Sequence, residues 1–195
     1  MSLFASKDIP IADAAWPDHS LLRAIVLAFG GALLLAISSK LSIPLAPKSL
    51  FPVSVTLQTL VALAVGTAFG WRLGGATILL YFSLGALGLP VFAQGGGIHH
   101  LWTAPTAGYL HGFLLAAMLM GWFAHLGFDR SAARLFPAML VGHAVIYFFG
   151  LMWLASYVGM STALAIGFKP FVLADILKCA LGAQLFPMAW KTIKE

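Results

Sequence analysis

The sequence predicts an all-α polytopic membrane protein with six transmembrane helices and both termini cytoplasmic. Three observations predict it. Of 195 residues, 61% are hydrophobic and only 9% charged, against about 25% charged in a soluble domain. Mean hydropathy is +0.97. Apolar runs recur along the whole chain, separated by short segments rich in proline, glycine or basic residues. A span needs about 20 apolar residues, which leaves room for about five to seven helices in one domain. The net charge of +5 is dispersed and so does not mark a nucleic-acid surface. The single cysteine, Cys179, excludes an internal disulfide, and no CxxC, HExxH, GxSxG or Walker-type loop is present. Nothing in the chain points to ATP hydrolysis or covalent catalysis.

Residues 1–20, with Lys7, Asp8, Asp13, Asp18 and two prolines, read as a retained polar lead-in, since they lack the basic start of a signal peptide. Residues 21–190 form the six-helix domain and 191–195 a short basic tail. The first span covers 21–39. Its Ala28, Ala32 and Ala36 recur every four residues, so one face is lined by methyl groups. Such a face lets another helix approach closely, either within the chain or from a separate protein. Residues 40–55, KLSIPLAPKSLFPVSV, hold three prolines and form a long extended loop of the kind often used as a lid. Spans two and three cover 56–70 and 73–89, joined at Gly70–Arg72. A second loop, PVFAQGGGIHHLWTAP (90–105), has three consecutive glycines, which permit close approach of backbone to a ligand. Spans four and five cover 106–126 and 135–157, and residues 159–169 lead into the last span, which ends at Trp190.

The basic residues orient these spans. With a cytoplasmic amino terminus, inner segments hold Lys7, Arg23, Arg72, Arg130, Arg134, Lys191 and Lys194, and outer segments hold Lys40, Lys48 and Lys169. The same arrangement places both loops and the start of the last helix on the outer side.

That helix carries Asp175 and Lys178 inside an apolar stretch. An ionised carboxylate in hydrocarbon costs ~2.5–3.5 kcal/mol on insertion scales, so it persists where it faces a protein interior, a polar cavity or a ligand. Spaced i and i+3, the two side chains share one helix face. They form either a site or a structural ion pair. Polar residues near the outer ends of other helices complete the candidate set: Thr56, Gln58, Tyr81, Gln94, Tyr109, His143 and Tyr147. A carboxylate accepts from N–H donors and an ammonium donates to an anion or carbonyl. The set suits a small ligand with N–H groups, a carbonyl or carboxylate and an apolar body. The six histidines show no helical His-x3-His spacing, so no metal site is expected. The tryptophans near span ends, Trp71, Trp102, Trp122, Trp153 and Trp190, read as interfacial anchors.

Five stretches together resemble one family: PVSVTLQTL (52–60), LLYFSLGALGLPVFAQGGG (79–97), PTAGYLHGF (105–113), VIYFFGLMWLA (145–155) and KPFVLADILKCALGA (169–183). The chain is similar over roughly residues 21–190 to the BioY family, the biotin-binding S components of energy-coupling-factor transporters. It departs from the family's Gly-Pro-Thr-Gly-Gly-Tyr in reading Ala104-Pro105-Thr106-Ala107-Gly108-Tyr109. The resemblance implies biotin uptake across the bacterial inner membrane, with no enzyme activity and no cofactor in this chain. Biotin would bind on the outer side, contacting Asp175 and Lys178. Thr56, Gln58, Tyr81, Gln94, Tyr109 and Tyr147 would be further contacts, with Gly95, Gly96 and Gly97 closing the pocket. The Ala28–Ala32–Ala36 face would dock on a transmembrane T subunit, and separate ATPase subunits would use ATP. Two other readings use the same residues. A proton-coupled carrier of a small vitamin would use Asp175 as the carrier group, and a scaffold subunit would use Asp175–Lys178 as a structural pair.

Overall fold

The structure is a computed structural model, which describes residues 9–43 and 55–194. Lys7, Asp8 and most of the predicted proline-rich lid, residues 44–54 with Lys48, lie outside the described residues. In chain order the elements are α1 (Ile11–Ala15), α2 (Leu21–Lys40), β1 (Ser42–Ile43), β2 (Val55–Thr56), α3 (Gln58–Ala86), α4 (His99–Trp102), α5 (Ala107–His125), α6 (Ala132–Val158), α7 (Met160–Gly167) and α8 (Val172–Lys194). A 3-10 turn at Phe128–Arg130 joins α5 to α6. Among the described residues five helices, α2, α3, α5, α6 and α8, are long and apolar enough to cross a membrane. Among the described residues the elements are helical apart from one two-residue antiparallel pair, in which Ser42 faces Thr56 and Ile43 faces Val55.

The two spans expected over 56–89 belong to one element, α3, which folds back on itself at Gly70. There φ is 77° and ψ 172°, which no helix accommodates. Gln58 Nε2 donates to Tyr81 Oη at 2.7 Å, although 23 residues of straight helix would separate them by about 35 Å. The two arms pack without side chains between them at Gly66 and Gly74: a Cβ on Gly74 would lie 2.9 Å from Gly66 Cα. Helix α5 rides on both arms as closely. A Cβ on Gly66 would come 2.1 Å from Ala117 O, and one on Gly121 would come 2.2 Å from the Trp71 nitrogen. Without water between them, helices gain most from such close van der Waals contact.

Helix α2 uses its small residues in the same way. Ala32 is 1% exposed, Ala36 packs against the core and Ala28 is half-buried. Next to them Gly31 lies against Thr77 and Phe69 of α3. The alanine face is thus turned largely toward the protein's own interior, while Leu22, Ile25, Phe29, Leu33 and Ile37 face outward. In α8 the buried positions are Asp175, Lys178, Cys179, Gly182, Ala183, Phe186 and Trp190, a stripe of helical period. That stripe, set by the apolar pattern of the lower helix, carries Asp175 and Lys178 inward.

Two ends of the bundle are distinct. At one, α1 packs on the body: Ile11 is buried, and Asp13 pairs with buried Arg23 at 2.7 Å. Asp129, fully enclosed, accepts from Trp190 Nε1 at 2.6 Å and lies 3.4 Å from Arg130 Nε. The Arg130 guanidinium stacks 3.3 Å over the Trp190 ring and donates to Ile9 O at 3.2 Å. The cluster ties the chain start, the α5–α6 turn and the end of α8. At the other end lie the β pair, residues 87–106, α7 and the start of α8. The predicted lead-in at 159–169 is largely helical there, as α7.

Burial pushes the Asp129 carboxyl above its usual 3.8, with Trp190 and Arg130 opposing it. A folded value above the unfolded one means the native protein holds the proton more tightly. This contribution to stability is therefore full below 3.8 and is lost as pH rises through the raised value. Asp129→Asn keeps an acceptor for Trp190 and removes the titration. From about pH 4 to pH 7 the parent is expected to lose stability relative to the variant in thermal unfolding. Parallel curves would contradict the burial argument.

Candidate functional site

Phe171 and the first turns of α8 bring the membrane-embedded charges against the start of α3 and the middle of α6. Asp175 is 5% and Lys178 7% exposed. Lys178 Nζ donates to Asp175 Oδ1 at 2.6 Å, Thr56 O at 2.7 Å and Thr59 Oγ1 at 3.2 Å. Its three donors are therefore all engaged. Asp175 also accepts from Thr59 Oγ1 at 3.3 Å and, on its other oxygen, from the Tyr147 hydroxyl. The α8 N-terminus adds a favourable dipole for a carboxylate in the first turn. Both charges are thus paired and hydrogen-bonded, the condition under which buried charges persist.

This cluster forms part of the wall of a pocket that is partly open to the outside. The rest of the wall is mostly apolar and aromatic, with Phe92, Leu110, Phe113, Ile146 and Phe171, and Gln94, His100 and Thr106 add polar groups. Of the residues expected from the sequence, Thr56, Gln58, Gln94, Tyr109, Tyr147, Asp175 and Lys178 line it together. Tyr109 Oη donates to Gly167 O at 3.0 Å, which fixes α7 against α5.

Tyr81, Gly95 and Gly96 stand behind the wall. Tyr81 is fully buried, accepts from Gln58 and donates to Val91 O at 3.0 Å, so it fixes both a pocket residue and the loop. Its ring also meets Phe92 edge-on at 5.3 Å. Gly95 and Phe92 exchange backbone hydrogen bonds at 2.9 and 3.1 Å. Gly96 packs on the carbonyls of residues 88 and 89, where a Cβ would lie 2.2 Å from Leu89 O. The glycines thus shape the loop that carries Phe92 and Gln94.

Thr59, Phe92, His100, Thr106, Phe113 and Phe171 join the site without having been singled out as contacts from the sequence. Thr59 had a signal, since it lies three residues after Thr56 at the start of the same span. The phenylalanines had none, because apolar aromatics abound in a chain with 15 of them.

His143 lies behind the carboxylate. It is 4% exposed, its Nδ1 lies 3.1 Å from Met139 O and 3.2 Å from Cys179 Sγ, and its Nε2 lies 3.6 Å from Asp175 Oδ1. The Cys179–His143 contact, which sequence spacing did not reveal, is fully buried, with Cys179 0% exposed. On the far side of Tyr147 and Asp175, a second hollow opens between α6 and α8, lined also by Leu140, Ala144, Phe168, Val172 and Ile176. Among the described residues no group of three His, Cys, Asp or Glu side chains is placed to hold a metal.

A desolvated carboxylate and ammonium within an aromatic wall can orient a compact polar head while the wall holds an apolar body. The comparisons narrow that outline. The BioY family model matches residues 10–195. The chain belongs to the BioY family. A probable biotin transporter BioY from Pyrococcus horikoshii is 43% identical over 133 residues, covering 68% of this chain and 77% of the relative. The biotin transporter BioY2 of Lactococcus lactis is 37% identical over 170 residues, covering 84% and 88%. A crystal structure of the S-component for biotin from an ECF-type ABC transporter shares the fold, with TM-score 0.75, 24% identity, and coverage of 87% of this chain and 92% of that one. This BioY chain therefore has relatives named as transporters, and none of these three is described as an enzyme.

Proposed function

We propose that this BioY protein captures biotin in the Asp175–Lys178 pocket and hands it inward as the S component of an ECF-type importer, with a T subunit and ATPases that use ATP. The observation that carries this reading is a buried, fully hydrogen-bonded Asp–Lys pair lining an aromatic pocket in a member of this family. Asp175 accepts the ureido N–H groups of biotin, Lys178 stabilises the Asp175 carboxylate, and Phe92, Phe113 and Phe171 hold the fused rings. Thr56, Gln58, Gln94, Tyr109 and Tyr147 complete the contacts, while Tyr81, Gly95 and Gly96 support them. The chain crosses the bacterial inner membrane six times, with the two arms of α3 counted separately. Both termini are cytoplasmic and the pocket opens outward. Of the alanine face, Ala28 and Ala36 keep surface for the T subunit.

The test is biotin binding by the purified protein in detergent, beside Asp175→Asn. Loss of a charge-assisted hydrogen bond should weaken binding by about 1.5–3 kcal/mol, roughly ten- to over a hundredfold. Equal affinity of parent and variant would sink the assignment. A proton-coupled carrier has one observation in its favour, His143 Nε2 beside Asp175. It requires uptake without ATPase subunits that collapses with the proton gradient.

A further inference from the structure

We infer that His100 is the group that selects an acidic ligand tail, so that the pocket reads a carboxylate at the end remote from the ureido ring. The inference rests on the biotin reading above and adds a residue to it. Among the described residues that line the pocket, two can carry positive charge, Lys178 and His100. Lys178 is committed to Asp175, Thr56 and Thr59. A carboxylate entering the pocket therefore finds one uncommitted side chain that can become cationic to meet it, His100 on α4.

The surroundings of His100 favour an anion. The residue is 8% exposed and held edge-on against Phe92 with ring centroids 5.8 Å apart. The His99 ring lies 4.0 Å from it. The second neighbouring basic group, Lys40 at the end of α2, donates to Phe92 O at 2.6 Å, so its charge sits at the same loop. From the elements facing the pocket, the remaining titratable groups are Tyr109 on α5, Tyr147 on α6, and Asp175 and Lys178 on α8. Asp175 is the one acid among them, and its charge is matched by Lys178. Among the described residues nothing acidic stands at His100, so the loop end is short of negative charge.

Burial, with His99 and Lys40 close by, holds His100 below the usual 6.5. The empty pocket thus keeps this imidazole neutral at neutral pH. An arriving carboxylate stabilises the imidazolium, so binding of an acid takes up a proton and strengthens as pH falls toward the range where His100 titrates. A ligand with the same ring and an uncharged tail has no such linkage.

The experiment is calorimetry of the purified full chain with biotin and with biotinamide, at acidic and alkaline pH, beside His100→Gln, His100→Arg and His99→Gln. The parent should prefer biotin by about tenfold at acidic pH, as a charge-assisted bond allows. His100→Gln should bring that preference below about twofold by weakening biotin alone, with biotinamide unchanged. His100→Arg, which stays charged, should keep the preference at both pH values, and His99→Gln should keep most of it. If the glutamine variant fails to fold, the arginine variant carries the test through its loss of pH dependence. An unchanged preference in His100→Gln, equal weakening of both ligands, or a pH-dependent preference retained by His100→Arg would overturn the role. Failure of both ligands to bind the parent would overturn the biotin reading itself, and this inference with it.

Discussion

Replacing Lys178 by methionine is expected to cost about 3–5 kcal/mol of stability, because it leaves the Asp175 carboxylate buried without its cation. Asp175 is 5% exposed, and the ammonium is its closest charged partner at 2.6 Å. Thr59 and Tyr147 still donate to it in the variant, but neither supplies charge. Asp175→Leu should cost a similar amount for the opposite reason, leaving the Lys178 ammonium with only Thr56 O and Thr59 Oγ1. The double variant Asp175→Leu with Lys178→Met removes both charges and fills the space with carbon. Buried ion pairs replaced by apolar residues of similar volume are often neutral or stabilising, so the double variant should unfold near the parent temperature. Biotin binding should stay lost. This combination separates a site from a structural pair. Recovery of folding without recovery of binding means the charges are there for the ligand. Full binding by the double variant would make the pair structural and place the biotin contacts elsewhere in the pocket.

The parts of the site legible in the sequence are those where a residue type is costly in its surroundings. Asp175 and Lys178 stand out because charge in an apolar helix demands a partner, and the structure supplies Thr56, Thr59 and Tyr147. The i, i+3 spacing of Asp175 and Lys178 on one helix face was legible too, and both are buried on the inward side of α8. Phe113 and Phe171 were not, since the sequence gives no sign of which of many aromatic residues faces a cavity. Tyr81 and Gln58 were both expected as contacts, yet only Gln58 lines the pocket. Their pairing depends on the register of the two arms of α3, which is a tertiary property. The alanine face of α2 was ambiguous for a related reason: a stripe of small residues signals close packing and leaves the partner unnamed. Here that partner is largely α3, as the enclosure of Ala32 shows.

The register of those arms depends on Gly70, and Gly70→Ala is expected to cost about 2–5 kcal/mol. At φ 77° and ψ 172° the backbone occupies a region open essentially to glycine, worth about 1–3 kcal/mol of strain for another residue. A Cβ would also lie 2.7 Å from Pro10 Cγ and 3.2 Å from His125 Nε2, adding an overpacking cost of about 1–3 kcal/mol. Pairing the variant with Pro10→Ala should return the part owed to the proline ring and leave the backbone part, so the two contributions can be read apart by thermal unfolding in detergent. The turn sits at the end of the bundle remote from the pocket. Well below its unfolding temperature, Gly70→Ala should therefore bind biotin with nearly parental affinity. A large loss of affinity in folded protein would mean that the turn transmits its geometry along α3 to Gln58 and Thr59. The hairpin would then be part of the mechanism by which the site changes state. Parental stability would instead show that the chain can reverse at this position without glycine.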